Sequence, residues 1–271
     1  MPTLPLPALA SIEPSFHGAE QVLLGLDFDG TLVPIQERPE TCHLTVSQRA
    51  ILERCAALPG VTACIISGRS LADIERRLQL PGWHYAGNHG LEIRLGNKRF
   101  IEPHAEQLAP VLQQLADQLE VELRVFPGVW VQNKTYTLSV HYRQAASELH
   151  SSIQQAVEKI TEPHRAQGTI HLRSGKMVQE IRPAISWNKG DVIAWIRQQL
   201  VLPEHTRLIY AGDDVTDEDV FAKWPAEVTI HVGSSLTLAR YRLADTEGVY
   251  RFLDEWLLWW PRCRNSRAES A

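Results

Sequence analysis

The sequence predicts an α/β fold: a parallel sheet with helices on both faces, interrupted by an inserted α+β module. Three observations predict it. VLLGLDFDGT from Val22, VTACIISGR from Val61 and LIYAGDDVTDED from Leu208 each run as an apolar stretch of strand length that switches abruptly to small, polar or acidic residues. Near-continuous apolar strands belong to sheets buried on both faces, hence to parallel strands. LTVSQRAILERCAAL, between the first two, has apolar residues mostly at helical spacing and a cap at Thr45 or Ser47, which makes a βαβ unit. The pattern then changes over residues 104–183.

Taken in order, residues 1–103 form the first part of the core. In such sheets ligands bind beyond the carboxyl ends of the strands, so Asp27, Ser67 and Asp213 are expected to meet there. Within 104–183, EQLAPVLQQLADQLE reads as a helix and VWVQNKTYTLSVHYR alternates like a strand with one exposed face. SELHSSIQQAVEKI is helical again, and TIHLRSGKMVQEIRP is strand-like around a turn at Gly175. One continuous mixed sheet is the alternative to an inserted module. WNKGDVIAWIRQQL opens the second part of the core, 184–261, in which Trp256, Trp259 and Trp260 read as core packing of a last amphipathic helix. Residues 262–271 read as a disordered tail.

The 271 residues carry a net charge of -5, 44% hydrophobic and 22% charged side chains. That balance suits a globular chain and argues against a nucleic-acid surface, which needs clustered Lys and Arg. Cys42, Cys55, Cys64 and Cys263 form no CxxC pair, so reduced thiols are expected rather than a zinc site or disulfide framework. MPTLPLPALASIEPSF is apolar but broken by proline and lacks a positive flank, and no run approaches the roughly 20 apolar residues of a membrane helix. The expectation is a cytoplasmic chain with no membrane partner.

A single Asp at a strand end is usually a cap, but LDFDGT places two. Asp27 can attack phosphorus, and Asp29 can protonate a leaving alcohol and later activate water. Attack by an anion on a phosphate dianion is opposed by about 4 kcal/mol per charge pair at 4 Å and an effective dielectric near 20, so cations must supply the difference. GDD at 212–214 offers hard oxygen ligands suited to Mg²⁺: Asp213 with Asp27, and the main-chain carbonyl of Asp29 as a third. Ser67 and Lys189 would hold the nonbridging oxygens of the transferring group. Asp217, Glu218 and Asp219 have a second reading as the acidic first turn of a helix capped by Thr216, which is favoured for Glu218 and Asp219.

The ordered set DxDxT, Ser, Lys and GDDxxxD resembles the haloacid dehalogenase superfamily of phosphohydrolases. LDFDGTLVPI, IISGR, AGNHGLEIR, VHYR, GKMVQEIRP, NKG and GDDVTDEDVF resemble the trehalose-6-phosphate phosphatases, in that family's order, over about residues 22–233. The resemblance implies a Rossmann-like core with a mobile α+β cap of the C2 type, an aspartyl-phosphate on Asp27, and Mg²⁺ held by Asp27, Asp29 and Asp213. It makes Asp214 and Asp217 supporting ligands through water. It assigns the disaccharide to Lys176 and Glu180, with Arg69, His89 and Glu92 from the core. His141, Tyr142 and Arg143 are left between packing and substrate contact, and the family pattern departs after Lys134. The function so implied is hydrolysis of trehalose 6-phosphate by a monomer, with a trehalose-phosphate synthase as the one protein partner the resemblance allows. The alternatives are another sugar phosphate, such as sucrose phosphate or a glucosyl-glycerol phosphate, or a non-catalytic sugar-phosphate-binding partner of a synthase.

Overall fold

The computed structural model describes residues 4–5, 12–16, 18–36 and 39–268. Most of the proline-broken N-terminal stretch and residues 269–271 of the expected tail lie outside them. Two compact units divide the chain, one formed by Met1–Arg99 with Trp187–Ala271 and the other by Phe100–Ser186. The sequence pattern places the inserted module at 104–183.

In chain order the elements begin with β1 (Leu4–Pro5), β2 (Val22–Leu26), α1 (Val46–Ala57), β3 (Val61–Ile66), α2 (Leu71–Leu78), β4 (Trp83–Gly87), β5 (Glu92–Leu95) and β6 (Lys98–Ile101). Then come α3 (Pro103–Leu123), β7 (Trp130–Asn133), β8 (Leu138–His141), α4 (His150–Ala166), β9 (Ile170–Gly175) and β10 (Val178–Pro183). The chain ends with α5 (Lys189–Gln199), β11 (Arg207–Gly212), α6 (Glu218–Lys223), β12 (Val228–Val232), β13 (Tyr241–Leu243) and α7 (Thr246–Ala268).

The first unit is built on a sheet of order β1-β13-β12-β11-β2-β3-β4-β5-β6. Its pairings from β1 to β4 are parallel, and β5 returns antiparallel to β4. Every residue of β2 and β12 is buried, as covered parallel strands require. The strand order reverses at β2, which has β3 on one side and β11 on the other. Leu26 stands opposite both Ala211 and Ile65 in register, so three strands end level and their next residues share one rim.

The helices start where capping side chains satisfy their first N–H groups. Thr45 and Gln48 form a reciprocal capping box on α1, and Asn188 and Asp191 do the same on α5, setting Lys189 at its first position. Thr216 does not cap α6: Asp217 precedes that helix with helical backbone angles and makes no cap hydrogen bond. α7 continues to Ala268, where the sequence reading expected disorder from 262. Trp256 and Trp260 are buried, the Trp260 indole donates to Pro59 O at 3.1 Å, and Arg264 lies against Gly60, so the helix has packing partners as far as Arg264. No helix among the described residues is long and apolar enough to cross a membrane.

The second unit carries a separate antiparallel sheet of order β7-β8-β10-β9, which removes the alternative of one continuous sheet. α3 and α4 bury Leu112, Leu119, Ile153 and Val157 in a core shared with Leu138, Val140 and Ile181. The stretch read as one alternating strand is a hairpin, β7 and β8. Asn133 Oδ1 accepts the Thr135 N–H at 2.8 Å and Thr135 takes φ 73°, an Asx-type turn that strand periodicity does not reveal.

Candidate active site

The rim at the ends of β2, β3 and β11 gathers Asp27, Ser67 and Asp213. Asp27 N–H donates to Ala211 O and Ser67 N–H to Ala86 O, each at 2.9 Å, so both residues are held by the sheet's own ladder. α5 brings Lys189 from 162 residues away, and its ammonium donates to Asp27 Oδ1 at 2.8 Å and Asp217 Oδ1 at 2.7 Å. All three side chains are buried, and Asp217 Oδ1 also accepts the Tyr210 hydroxyl at 2.6 Å. Asp217 Oδ2 takes the Asp214 N–H at 3.0 Å.

Electrostatics define what this cluster lacks. Burial opposes the Lys189 charge, but Asp217 and Asp27 outweigh it and hold Lys189 as an ammonium. Burial pushes the Asp27 carboxyl well up, Lys189 pulls it back, and Asp217 and Asp213 push it up again. Asp27 and Asp217 therefore share one ammonium with Asp213 close by, and further positive charge would favour an ionised Asp27. Burial, reinforced by Asp217, also pushes the Tyr210 phenol up and keeps it a donor.

The residues fit a hard divalent cation. Asp27, Asp213 and Asp217 each offer a carboxylate oxygen, and these atoms lie within 4.8 Å of one another. Because Asp217 is already committed to Lys189, Tyr210 and Asp214, Asp27 and Asp213 are the better donors, which suits Mg²⁺ with its few carboxylates and retained waters. Two glycines make room for the carboxylates. A Cβ on Gly30, which has φ 86°, would stand 2.1 Å from Asp213 Oδ2, and one on Gly212 would stand 2.1 Å from Asp217 Cγ. Gly30→Ala is expected to weaken Mg²⁺ binding by about tenfold or more, equivalent to about 1.4 kcal/mol. Titration calorimetry checks this, and unaltered affinity would show that Asp213 does not hold the ion.

The other expected residues differ in what they touch. Asp29, at the sheet rim two residues past Asp27, is forked by Arg69: Nε to Oδ2 and Nη2 to Oδ1, both 2.6 Å. Arg69 Nη1 donates to Asp73 at 2.9 Å. Asp214 is exposed, whereas Asp217 is buried. His89 has φ 57° and packs its ring over Gly68, while its N–H donates to Ser67 O at 2.9 Å. Glu92 Oε1 accepts from Asn88 at 2.6 Å and from the Leu71 N–H at 3.2 Å, tying that turn to the start of α2.

Within the second unit, Glu180 on β10 accepts from Lys134 at 3.2 Å and from Arg182 Nε at 2.7 Å. Lys176 is exposed in the β9–β10 turn, and its carbonyl accepts from Arg143. Tyr142 is buried, whereas His141 stacks on Trp130 with ring centroids 4.0 Å apart. Burial, with Lys134 nearby, pushes the His141 imidazole down to about 4, so it is neutral near pH 7.

Two residues of the first unit escaped the sequence reading. Tyr210 sits inside an apolar strand and looks like core, and Asp73 sits in the first turn of α2 and looks like an ordinary helix-terminal acid. The one sequence signal for Asp73 is its spacing four residues after Arg69, the distance of a helical ion pair.

The sequence model described as trehalose-phosphatase matches residues 25–247. A trehalose-phosphate phosphatase of Mycobacterium bovis is 36% identical over 245 residues, covering 87% of this chain and 61% of the relative. The chain thus spans less than two thirds of the length of that relative. In fold, the C-terminal domain of Candida albicans trehalose-6-phosphate phosphatase matches 94% of this chain and 98% of its own at TM-score 0.79 and 21% identity. A trehalose-6-phosphate phosphatase related protein matches 89% and 99% at TM-score 0.78 and 24% identity.

Proposed function

The chain belongs to the trehalose-phosphatase family, and from that premise we propose that it hydrolyses trehalose 6-phosphate to trehalose and phosphate in a Mg²⁺-dependent reaction through an aspartyl-phosphate. The observation that carries the reading is the Lys189 ammonium lodged between Asp27 and Asp217, beside Asp213, at the carboxyl ends of β2 and β11. A structural ion pair needs one carboxylate per ammonium; this cluster holds an excess of anionic groups where a parallel sheet binds ligands.

The steps follow from these side chains. A carboxylate oxygen of Asp27 attacks phosphorus, the bond to the sugar oxygen breaks, and Asp29 gives its proton to that oxygen. Ser67 and Lys189 bind nonbridging phosphate oxygens through the transfer. Asp29 then takes a proton from the water that attacks the acyl phosphate, releasing phosphate and regenerating Asp27. Magnesium, held by Asp27 and Asp213 with the Asp29 carbonyl, would supply positive charge against the phosphate. Lys176 and Glu180 are proposed to recognise sugar hydroxyls. For Arg69 and Glu92, their bonds to Asp29, Asn88 and Leu71 favour holding the core's own groups over contacting sugar. The buried thiols of Cys42, Cys55 and Cys64, none of them in a disulfide, support action in the reducing cytoplasm.

Phosphate release from trehalose 6-phosphate, sucrose 6-phosphate and glucosyl-glycerol phosphate tests this reading. With Mg²⁺ present, the first is expected to exceed the others in kcat/KM by about a hundredfold, the scale set by hydrogen bonds fitted to one set of hydroxyls. Equal rates would remove trehalose from the assignment, and no release from any would remove the phosphatase.

A further inference from the structure

Asp29 is the group asked to move protons, yet its carboxylate is partly open to solvent, with 37% of the side chain exposed. Its orientation therefore depends on partners rather than on packing. The Arg69 fork fixes the plane of the carboxylate, because two parallel N–H bonds leave a guanidinium and a carboxylate little freedom to rotate. Arg69 must itself be fixed for that to matter. Its guanidinium lies over the Phe28 ring, 5.3 Å from the centroid, and its Nη1 donates to Asp73 Oδ2 at 2.9 Å.

Asp73 also holds a second arginine. Its Oδ2 also accepts Arg77 Nε at 2.8 Å, and Arg77 Nη1 donates to the carbonyls of Glu40 at 3.0 Å and Cys42 at 3.2 Å. The Cys42 side chain is buried, with its thiol 4.0 Å from Pro34 O. Thus the segment bearing the thiol and the arginine bearing the fork both hang on one carboxylate. Asp73 is anchored in turn by its N–H, which donates to the Ser70 cap at 3.3 Å, and by Arg76 on Oδ1 at 2.6 Å. The cationic partners outweigh burial and hold the Asp73 carboxyl at about 2, so it is ionised throughout the working pH range.

We propose that Asp73 is a positioning residue for the proton transfers of Asp29, acting through the Arg69 fork. The inference rests on the phosphatase reading and goes beyond it, since Asp73 touches neither the phosphate cluster nor the candidate metal ligands.

A leaving-group comparison tests it. kcat/KM reports steps up to the first irreversible one, here formation of the aspartyl-phosphate, in which an alkoxide needs a proton and a nitrophenolate does not. With the full chain, Asp73→Asn is expected to lower kcat/KM for trehalose 6-phosphate by about tenfold or more, part of the 10²–10⁴ that acid–base catalysis supplies. For p-nitrophenyl phosphate the same variant is expected to stay within about twofold of wild type, the change left when proton donation is not required. The ratio of the two is insensitive to the fraction folded. Asp73→Glu, which keeps the charge but displaces it by one methylene, is expected to give a smaller split of the same sign. Proportional losses on both esters, or no loss on the sugar phosphate, would overturn the inference. A wild-type chain that hydrolyses neither ester would instead overturn the proposed function on which it rests.

Discussion

Asp27→Asn is expected to lower turnover of trehalose 6-phosphate by about a thousandfold or more, the scale for loss of a nucleophile, while the chain melts at or above the wild-type temperature. The two halves of this result have one cause. Asp27 is buried beside Asp213 and Asp217, and burial with these two acids pushes its carboxyl well up against the pull of Lys189. A neutral amide removes a penalised charge, keeps nearly the same shape, and leaves Lys189 paired with Asp217 at 2.7 Å. It also removes the carboxylate proposed to attack phosphorus. Phosphate release and a thermal melt check both halves. Turnover near the wild-type rate would take Asp27 out of the chemistry, and a large fall in melting temperature would contradict the electrostatic account.

Lys189→Met is expected to do the reverse to stability. The thioether fills the space of the side chain but leaves Asp27 and Asp217 buried without their cation, a defect that costs about 3–5 kcal/mol. The sign with pH follows from Asp27. A carboxyl whose folded pKa is raised stabilises the fold in its protonated form, and that contribution is lost as pH rises through the raised value. The deficit of the methionine variant should therefore shrink in acid and grow toward neutral pH, and activity should fall by about a hundredfold or more as the phosphate oxygens lose a donor. Urea unfolding at pH 5 and pH 8 measures it. An equal deficit at both would mean that packing, not charge, is what Lys189 supplies.

Much of this arrangement was legible in the sequence because it is local. The strands before Asp27, Ser67 and Asp213 announce themselves by apolar runs that stop at polar residues, and the α/β class with a separate antiparallel sheet follows as expected. A cap at Thr45 or Ser47 is likewise legible, and Thr45 is the one that caps α1. What stayed hidden depends on backbone angles or on distant chain. Thr135 turns β7 back into β8 through a left-handed residue inside an alternating stretch. Asp217 reads equally as a helix-start acid, and only the arrival of Lys189 from α5 and Tyr210 from β11 makes it the anchor of the cluster. The last turns of α7 looked polar enough for disorder, but Trp260 finds the carbonyl of Pro59 and Arg264 finds Gly60 across the fold. Arg69 was assigned to sugar by resemblance alone; its bonds to Asp29 and Asp73 could not be seen without the turn that brings β3's end against α2.

The most direct measurement is to trap the covalent intermediate. Labelled trehalose 6-phosphate mixed with the chain and Mg²⁺, quenched in acid within a turnover and mapped by peptide, should give phosphate on Asp27 at a level approaching one per chain. The Asp27→Asn variant should give none. Rapid turnover with no trapped phosphate, or label found on Asp29 or Asp213 instead, would contradict the assignment of Asp27 as the attacking group.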